Sequence, residues 1–243
     1  MLRVVIHPSA EAASLGLADF LVRTLRAWPE IVLGLPTGRT PIPLYRELVR
    51  LHRQGRADFS RATTFNLDEF AGLGPRDPRS YHAFMRRHLF DEVNIAPERI
   101  EFLNGGARDL GREARRYERR LSAVGGLDLV LLGIGGNGHL GFNEPAAALA
   151  PRTHLATLRP ATRRANAWIF DGNVRRVPRR ALSMGIGTIL SARGVVLLAT
   201  GRAKAAIVRR ALTGPVTTRV PASLLQLHPN VVVVLDRDAG REL

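Results

Sequence analysis

Cysteine is absent from the 243 residues, and lysine occurs once, at Lys204. Without cysteine there is no disulfide framework and no thiolate for metal or redox chemistry. Aromatic residues make up only 6% of the chain, and none interleaves with arginines as a single-strand stacking platform requires. No run approaches the roughly 18 consecutive apolar residues of a membrane span. The amino terminus, Met1-Leu2-Arg3-Val4-Val5-Ile6-His7, lacks the long apolar core of a signal peptide, so the cytoplasm is the expected compartment. Repeats, low-complexity tracts, zinc fingers and basic zippers are missing too. Oligomeric state leaves no mark in the sequence.

What is present is a chain with 45% apolar residues and enough length to bury a continuous core. The formal charge is +15, from 36 Lys+Arg against 21 Asp+Glu. The arginines are dispersed in separate pairs such as Arg115-Arg116, Arg163-Arg164 and Arg209-Arg210, which reads as solvated faces and not as a nucleic-acid stripe. A small anionic substrate remains compatible with that charge. Because 35 of the 36 basic residues are arginine, Lys204 marks either a chance survivor or a place where only a compact ammonium fits.

Short Val/Ile/Leu runs at 2–7, 31–35, 62–67, 100–103, 128–134, 182–185, 194–200 and 231–235 read as strands. Several are unbroken, as expected of strands buried on both faces of a parallel sheet. Helical patterns fall between them at 10–27, 41–54, 81–90, 110–124 and 204–212, with Pro41 in a first turn and Thr40 available as its N-cap. The expected fold is α/β, a doubly wound, mostly parallel sheet with helices on both faces, as one domain over residues 1–243. Sites then belong where loops leave the carboxyl ends of strands.

Three junctions and a fourth segment concentrate chemistry. Gly34-Leu35-Pro36-Thr37-Gly38-Arg39-Thr40-Pro41 follows a strand and opens a helix, a cradle in which backbone N–H groups and two hydroxyls could hold a phosphate. It lacks the Walker pattern, so a nucleoside triphosphate has no seat there. Asp68 and Glu69 stand together at a strand end. Alternation turns only one of them toward a site, which makes Asp68 a candidate general base and Glu69 a structural carboxylate. The third junction, Gly133-Ile134-Gly135-Gly136-Asn137-Gly138-His139-Leu140-Gly141-Phe142-Asn143-Glu144-Pro145, matches a dinucleotide glycine spacing. However, no helix opens there and no acid follows about 20 residues on, so a nicotinamide or flavin reading is rejected. A glycine-rich loop carrying His139 and Glu144 remains, an imidazole and a carboxylate suited to acid–base work. Gly201-Arg202-Ala203-Lys204 places the sole lysine at another helix start. Each segment also has a plain structural reading, respectively a capped turn, a solvated strand end, a loop histidine and a surface lysine.

Taken in order, G-L-P-T-G-R-T-P, T-F-N-L-D-E-F, G-x-N-G-H-L-G-F-N-E-P and Leu225-Gln226-Leu227-His228-Pro229 resemble glucosamine-6-phosphate deaminases over nearly the whole chain, Ser80–Met85 and Asn104-Gly105 included. The resemblance implies conversion of an aminosugar 6-phosphate and water to fructose 6-phosphate and ammonia, with no metal and no redox cofactor. It implies Asp68 as the base moving a proton from C2 to C1, and His139 as the ring-opening group with Glu144 and Asn137 as partners. It implies Thr37, Gly38, Thr40 and Lys204 as holders of the phosphate.

Two departures stand out. Asn137 replaces the aspartate of some members. Trp168 stands where the family usually places a phosphate-clamping arginine, and Arg39, at a position normally small, is the residue able to compensate. At the positions of the allosteric effector in regulated members stand Ala147, Ala148, His154 and Ala156, so no activation by N-acetylglucosamine 6-phosphate is expected. The alternatives on the same fold are a galactosamine-6-phosphate deaminase, a 6-phosphogluconolactonase, which needs no C2 base, and a non-catalytic sugar-phosphate sensor.

Overall fold

Seven strands, each rich in β-branched or leucine side chains, lie parallel in the order β1-β10-β9-β6-β2-β3-β5. The structure, a computed structural model, describes residues 2–243. The strands are β1 (Leu2–His7), β2 (Val32–Leu35), β3 (Thr63–Asn66), β5 (Ile100–Glu101), β6 (Leu129–Leu132), β9 (Gly194–Ala199) and β10 (Val231–Asp236). Alternation divides their side chains between two cores. Leu33, Leu35, Leu129, Leu131, Val196 and Leu198 face one side, while Val32, Val130, Leu132, Val195, Leu197 and Val233 face the other. Helices α1 (Ala10–Ala27), α2 (Ile42–Arg53) and α3 (Tyr81–His88) cover the first face. On the second lie α4 (Leu110–Ala123), the short α6 (Ile186–Leu190) and α7 (Ala205–Thr213). Both faces of β6 and β9 are covered, which is why their sequences read as unbroken apolar runs.

A second, antiparallel sheet has the order β4-β8-β7, from β4 (Asp68–Phe70), β7 (His154–Thr157) and β8 (Arg180–Ser183). The expected strand at 62–67 thus ends at Asn66. The chain turns at Leu67 and enters the second sheet with Asp68 paired to Ser183. The run at 182–185 also belongs to this sheet, shifted to Arg180–Ser183. Its burial comes from being the central strand and not from parallel pairing. β7 and α5 (Pro160–Asn166) fall outside the expected elements, because His154–Thr157 is too short to show a period and α5 spans barely two turns. Pro160, in the first turn, was the available signal for α5. Thr40 does not cap α2. Pro41 occupies the N-cap position in a helical conformation, and no side chain caps this helix.

The order of the large sheet sets the site. From β2 the chain continues outward to β3 and β5, and from β6 it continues the opposite way to β9 and β10. Loops leaving β2 and β6 therefore diverge, and a crevice opens at the carboxyl ends of these neighbours.

Candidate active site

Loops from β9, β6 and β2 carry Lys204, the 133–145 segment and the 37–40 segment, and Asp68 opens β4 just past the end of the neighbouring β3. Asp68 is nearly inaccessible, 6% exposed, and its Oδ1 accepts a long hydrogen bond from Thr37 Oγ1 at 3.4 Å. Burial pushes its carboxyl up to about 7, and the Thr37 hydroxyl offsets this only in part. A carboxylate so destabilised accepts a proton readily near neutral pH. Glu69, its neighbour, points away. One oxygen accepts the N–H groups of Phe70 and Tyr81 at 2.8 and 3.0 Å, and the other accepts His82 N–H at 3.0 Å. Burial pushes Glu69 up to about 8, against the pull of these three donors. Its lone pairs are engaged in holding the first turn of α3 to β4.

The β6 loop folds back on itself, with Gly135 N–H donating to the His139 carbonyl at 3.0 Å. This lays the imidazole on Gly135, where a Cβ would fall 2.2 Å from His139 Cε1, so no larger residue fits. Farther along, Gly141 has φ +56, and a Cβ there would lie 3.5 Å from Asp68 Oδ2. The loop that holds the histidine therefore passes directly against Asp68.

Charge and hydrogen bonding assign the histidine its tautomer. Asn137 Nδ2 donates to Glu144 Oε2 at 2.7 Å, which turns Asn137 Oδ1 toward His139 Nδ1 at 2.8 Å. An amide oxygen only accepts, so the Nδ1 atom carries the proton and Nε2 is left as a base. Glu144 lies 3.7 Å from Nδ1, and its other oxygen accepts Arg159 N–H at 3.0 Å. Burial acts to raise Glu144, but the neighbouring His139 ring, the Thr162 hydroxyl and the Arg159 N–H outweigh it and hold the carboxyl at about 2. The group is a permanent anion behind the imidazole.

On the opposite wall, the 37–40 loop is pinned by Tyr45, whose hydroxyl donates to the Pro36 carbonyl at 2.5 Å. Thr37, Gly38 and Thr40 are partly buried there, beside the first turn of α2 that no side chain caps. Lys204 reaches across from the β9 loop and donates from Nζ to the Ile134 carbonyl at 2.6 Å, and burial lowers its pKa. Asp236 fixes this turn by accepting Gly201 N–H at 2.9 to 3.0 Å. The Arg39 guanidinium lies over the Trp168 ring, 5.1 Å from its centroid.

Sequence reading passed over α5 and the role of Tyr81. Tyr81 Oη donates to Asn166 Oδ1 at 2.9 Å, Asn166 Nδ2 donates to the Thr162 carbonyl at 2.9 Å, and Thr162 Oγ1 lies 3.5 Å from His139 Nδ1. This chain links the Asp68 side of the crevice to the His139 side. A broad groove lined by Phe20, Trp28, Val196 and Val232 opens at the opposite, amino-terminal edge of the sheet and contains none of these groups. Among the described residues no three His, Asp or Glu side chains converge as a metal site would require, and no helix is long and apolar enough to cross a membrane.

Comparison with known proteins places these features in context. Residues 8–234 match the family model described as glucosamine-6-phosphate isomerases/6-phosphogluconolactonase. A glucosamine-6-phosphate deaminase of Rhodopirellula baltica is 48% identical over 240 residues, covering 99% of this chain and 95% of its own. One from Thermoanaerobacter pseudethanolicus is 42% identical over 239 residues, with 98% and 94% covered. A solved structure described as a monomeric glucosamine-6-phosphate deaminase superposes with a TM-score of 0.96 at 44% identity, covering 99% of this chain and all of that one. A 6-phosphogluconolactonase from Trypanosoma cruzi shares the fold alone, at 18% identity and a TM-score of 0.76 over 100% of this chain and 97% of its own. With a matching model over most of its length and relatives above 40% identity throughout, the chain belongs to the glucosamine-6-phosphate isomerase/6-phosphogluconolactonase family.

Proposed function

We propose that residues 1–243 act as one catalytic domain that converts glucosamine 6-phosphate and water to fructose 6-phosphate and ammonia, in amino sugar catabolism in the cytoplasm. The observation that carries this reading is the pairing of a buried carboxyl near neutrality, Asp68, with an imidazole whose Nε2 is free, His139, on adjoining loops. A lactonase would need no base of the first kind, and the 42–48% identical relatives named above are deaminases.

In this mechanism His139 Nε2 takes the proton of the C1 hydroxyl and returns it to the ring oxygen, which opens the pyranose. Glu144, anionic throughout, stabilises the transient imidazolium, and Asn137 keeps the ring in the required tautomer. Asp68 then removes the C2 proton of the open-chain aldehyde. The electron pair becomes a C1–C2 double bond as the carbonyl oxygen takes a proton from water, one that is given back when water later adds at C2. Asp68 returns its proton to C1, which leaves an iminium at C2. Water adds to the iminium, and ammonia departs. Each step is a proton transfer, a hydration or the loss of ammonia from the resulting carbinolamine, chemistry that side chains supply without metal or redox cofactor. Thr37, Gly38, Arg39, Thr40 and Lys204 hold the 6-phosphate. In support, α2 opens without a side-chain cap, and the Lys204 ammonium lies at the Ile134 carbonyl, where the neighbouring β6 loop begins.

The deciding assay follows ammonia and fructose 6-phosphate together from glucosamine 6-phosphate and purified protein. Equal rates of appearance are expected. Folded protein that releases neither product, yet hydrolyses 6-phosphogluconolactone, would overturn the reading.

A further inference from the structure

Arg39 is the exposed member of the 37–40 loop, and among the described residues its guanidinium has the Trp168 ring as its one recorded partner, while its carbonyl accepts Ile42 N–H at 3.3 Å. Nearby arginines are differently employed. Arg163 donates to the carbonyls of Val174 and Val177, and Arg159 donates to the Pro145 carbonyl. The Arg39 side chain thus keeps its full set of N–H donors unspent, with its Cζ over the indole ring. A cation over an aromatic face is attracted by the ring quadrupole, while the N–H fork radiates in the guanidinium plane and stays free for an anion.

Trp168 is itself braced. Its ring meets Phe84 of α3 edge-on, with centroids 6.3 Å apart, and it follows α5 by two residues. Two residues before Trp168, Asn166 receives the Tyr81 hydroxyl, and two residues before Arg39, Thr37 reaches Asp68. The Arg39–Trp168 contact therefore joins the two walls of the crevice at the mouth of the anion cradle. Indole offers one N–H donor and no charge, so tryptophan cannot bind a dianion in place of a guanidinium.

We propose that Arg39 supplies the guanidinium that recognises the phosphate dianion and that Trp168 is its positioning residue, an aromatic plate that holds the arginine at the cradle. The proposal rests on the functional reading for the identity of the phosphate ester and on the Arg39–Trp168 geometry for everything else. A guanidinium pre-placed in this way gives up less conformational freedom when the anion arrives.

The two tryptophans of the chain allow a test that does not depend on turnover, because Trp28 is exposed at the far edge of the sheet. In a Trp28→Phe protein, titration with inorganic phosphate and with glucosamine 6-phosphate is expected to produce a saturable change in Trp168 emission, as the stacked cation engages the anion. Arg39→Ala should abolish that change and raise KM about tenfold or more, with the smaller effect on kcat. Trp168→Leu, which keeps bulk but not the quadrupole, should raise KM roughly threefold, and Trp168→Phe less. The double variant Arg39→Ala/Trp168→Leu should be no worse than Arg39→Ala alone, since the plate acts only through the arginine. An emission response that survives Arg39→Ala, an unchanged KM, or multiplicative losses in the double variant would each overturn the proposal. Should the parent protein fail to turn over glucosamine 6-phosphate, the functional reading falls, and the phosphate titration still decides the role of Arg39.

Discussion

Asp68 and Glu144 are carboxylates in one crevice with opposite fates, and the cause is what surrounds each oxygen. Asp68 has a single long hydrogen bond and almost no solvent, so burial carries it up to about 7. Glu144 is also little exposed, but it has several donors around it, which hold it at about 2. The pair separates a base from a fixed anion, the division of labour an acid–base site needs. Turnover should therefore rise with pH through about 7 as Asp68 ionises, with no limb from Glu144 above pH 4, as a pH profile of kcat/KM will record. Asp68→Asn should lower kcat by at least about a hundredfold in the ammonia assay. The same substitution has a stability consequence whose sign follows from linkage. Folded Asp68 binds its proton more tightly than the unfolded chain does, so the native state loses stability as pH rises from about 4 to about 7. A shift of that size corresponds to about 4 kcal/mol at most. The asparagine variant is thus expected to melt higher than the parent at pH 8 and to lose that advantage at pH 4, as paired thermal unfolding curves will show.

At the scale of elements, the site depends on how short pieces are tied to one another. Asp68 and Glu69 are consecutive on β4 and face opposite ways, so one enters the crevice while the other clasps α3 through the N–H groups of Tyr81 and His82 and also accepts Phe70 N–H of its own strand. That clasp is a structural use of a buried carboxyl. Glu69→Ala leaves those donors without partners at a cost of about 3 kcal/mol, and Tm should drop by roughly 5 °C or more in calorimetry. Glu69→Gln, which retains acceptor oxygen, should lose less. His228 shows the same pattern at a motif that sequence reading weighed only as part of the resemblance. It is buried, its Nε2 meets the Ala192 carbonyl at 2.8 Å, and its Nδ1 accepts Asn230 N–H, so it fastens the approaches to β9 and β10 at the edge away from the crevice. A histidine in a motif is not by that fact a histidine in a site.

Across the whole molecule, the topology gathers the four loops at one edge and leaves the effector question to the other walls. Ala156 is buried in β7, and His154 is turned to the Arg152 carbonyl. Together with Ala147 and Ala148 they offer no cation or hydroxyl for a second phosphosugar. Saturation by glucosamine 6-phosphate should be hyperbolic and unchanged by N-acetylglucosamine 6-phosphate, and a sigmoidal curve straightened by that compound in initial-rate kinetics would refute this.

The one-dimensional pattern was enough for the parallel sheet, because strands covered on both faces must be apolar along their buried run, as in Leu129–Leu132 and residues 231–235. It was enough as well to single out the loops at 34–41, 68–69, 133–145 and 201–204, since glycine, hydroxyl and charge are costly after a buried strand unless they are used. Other features had no local signature. The antiparallel sheet, the bond network through Tyr81, Asn166 and Thr162, and the stacking of Arg39 on Trp168 all join residues far apart in the chain. Which of two adjacent buried carboxylates keeps free lone pairs, and which nitrogen of His139 is left free, follows from neighbours that only the folded chain brings together. The types of chemical group, and the strand ends that present them, were thus legible along the chain. Tertiary structure alone decided their protonation and their partners, because electrostatics and hydrogen bonding act through distance in space and not along the chain.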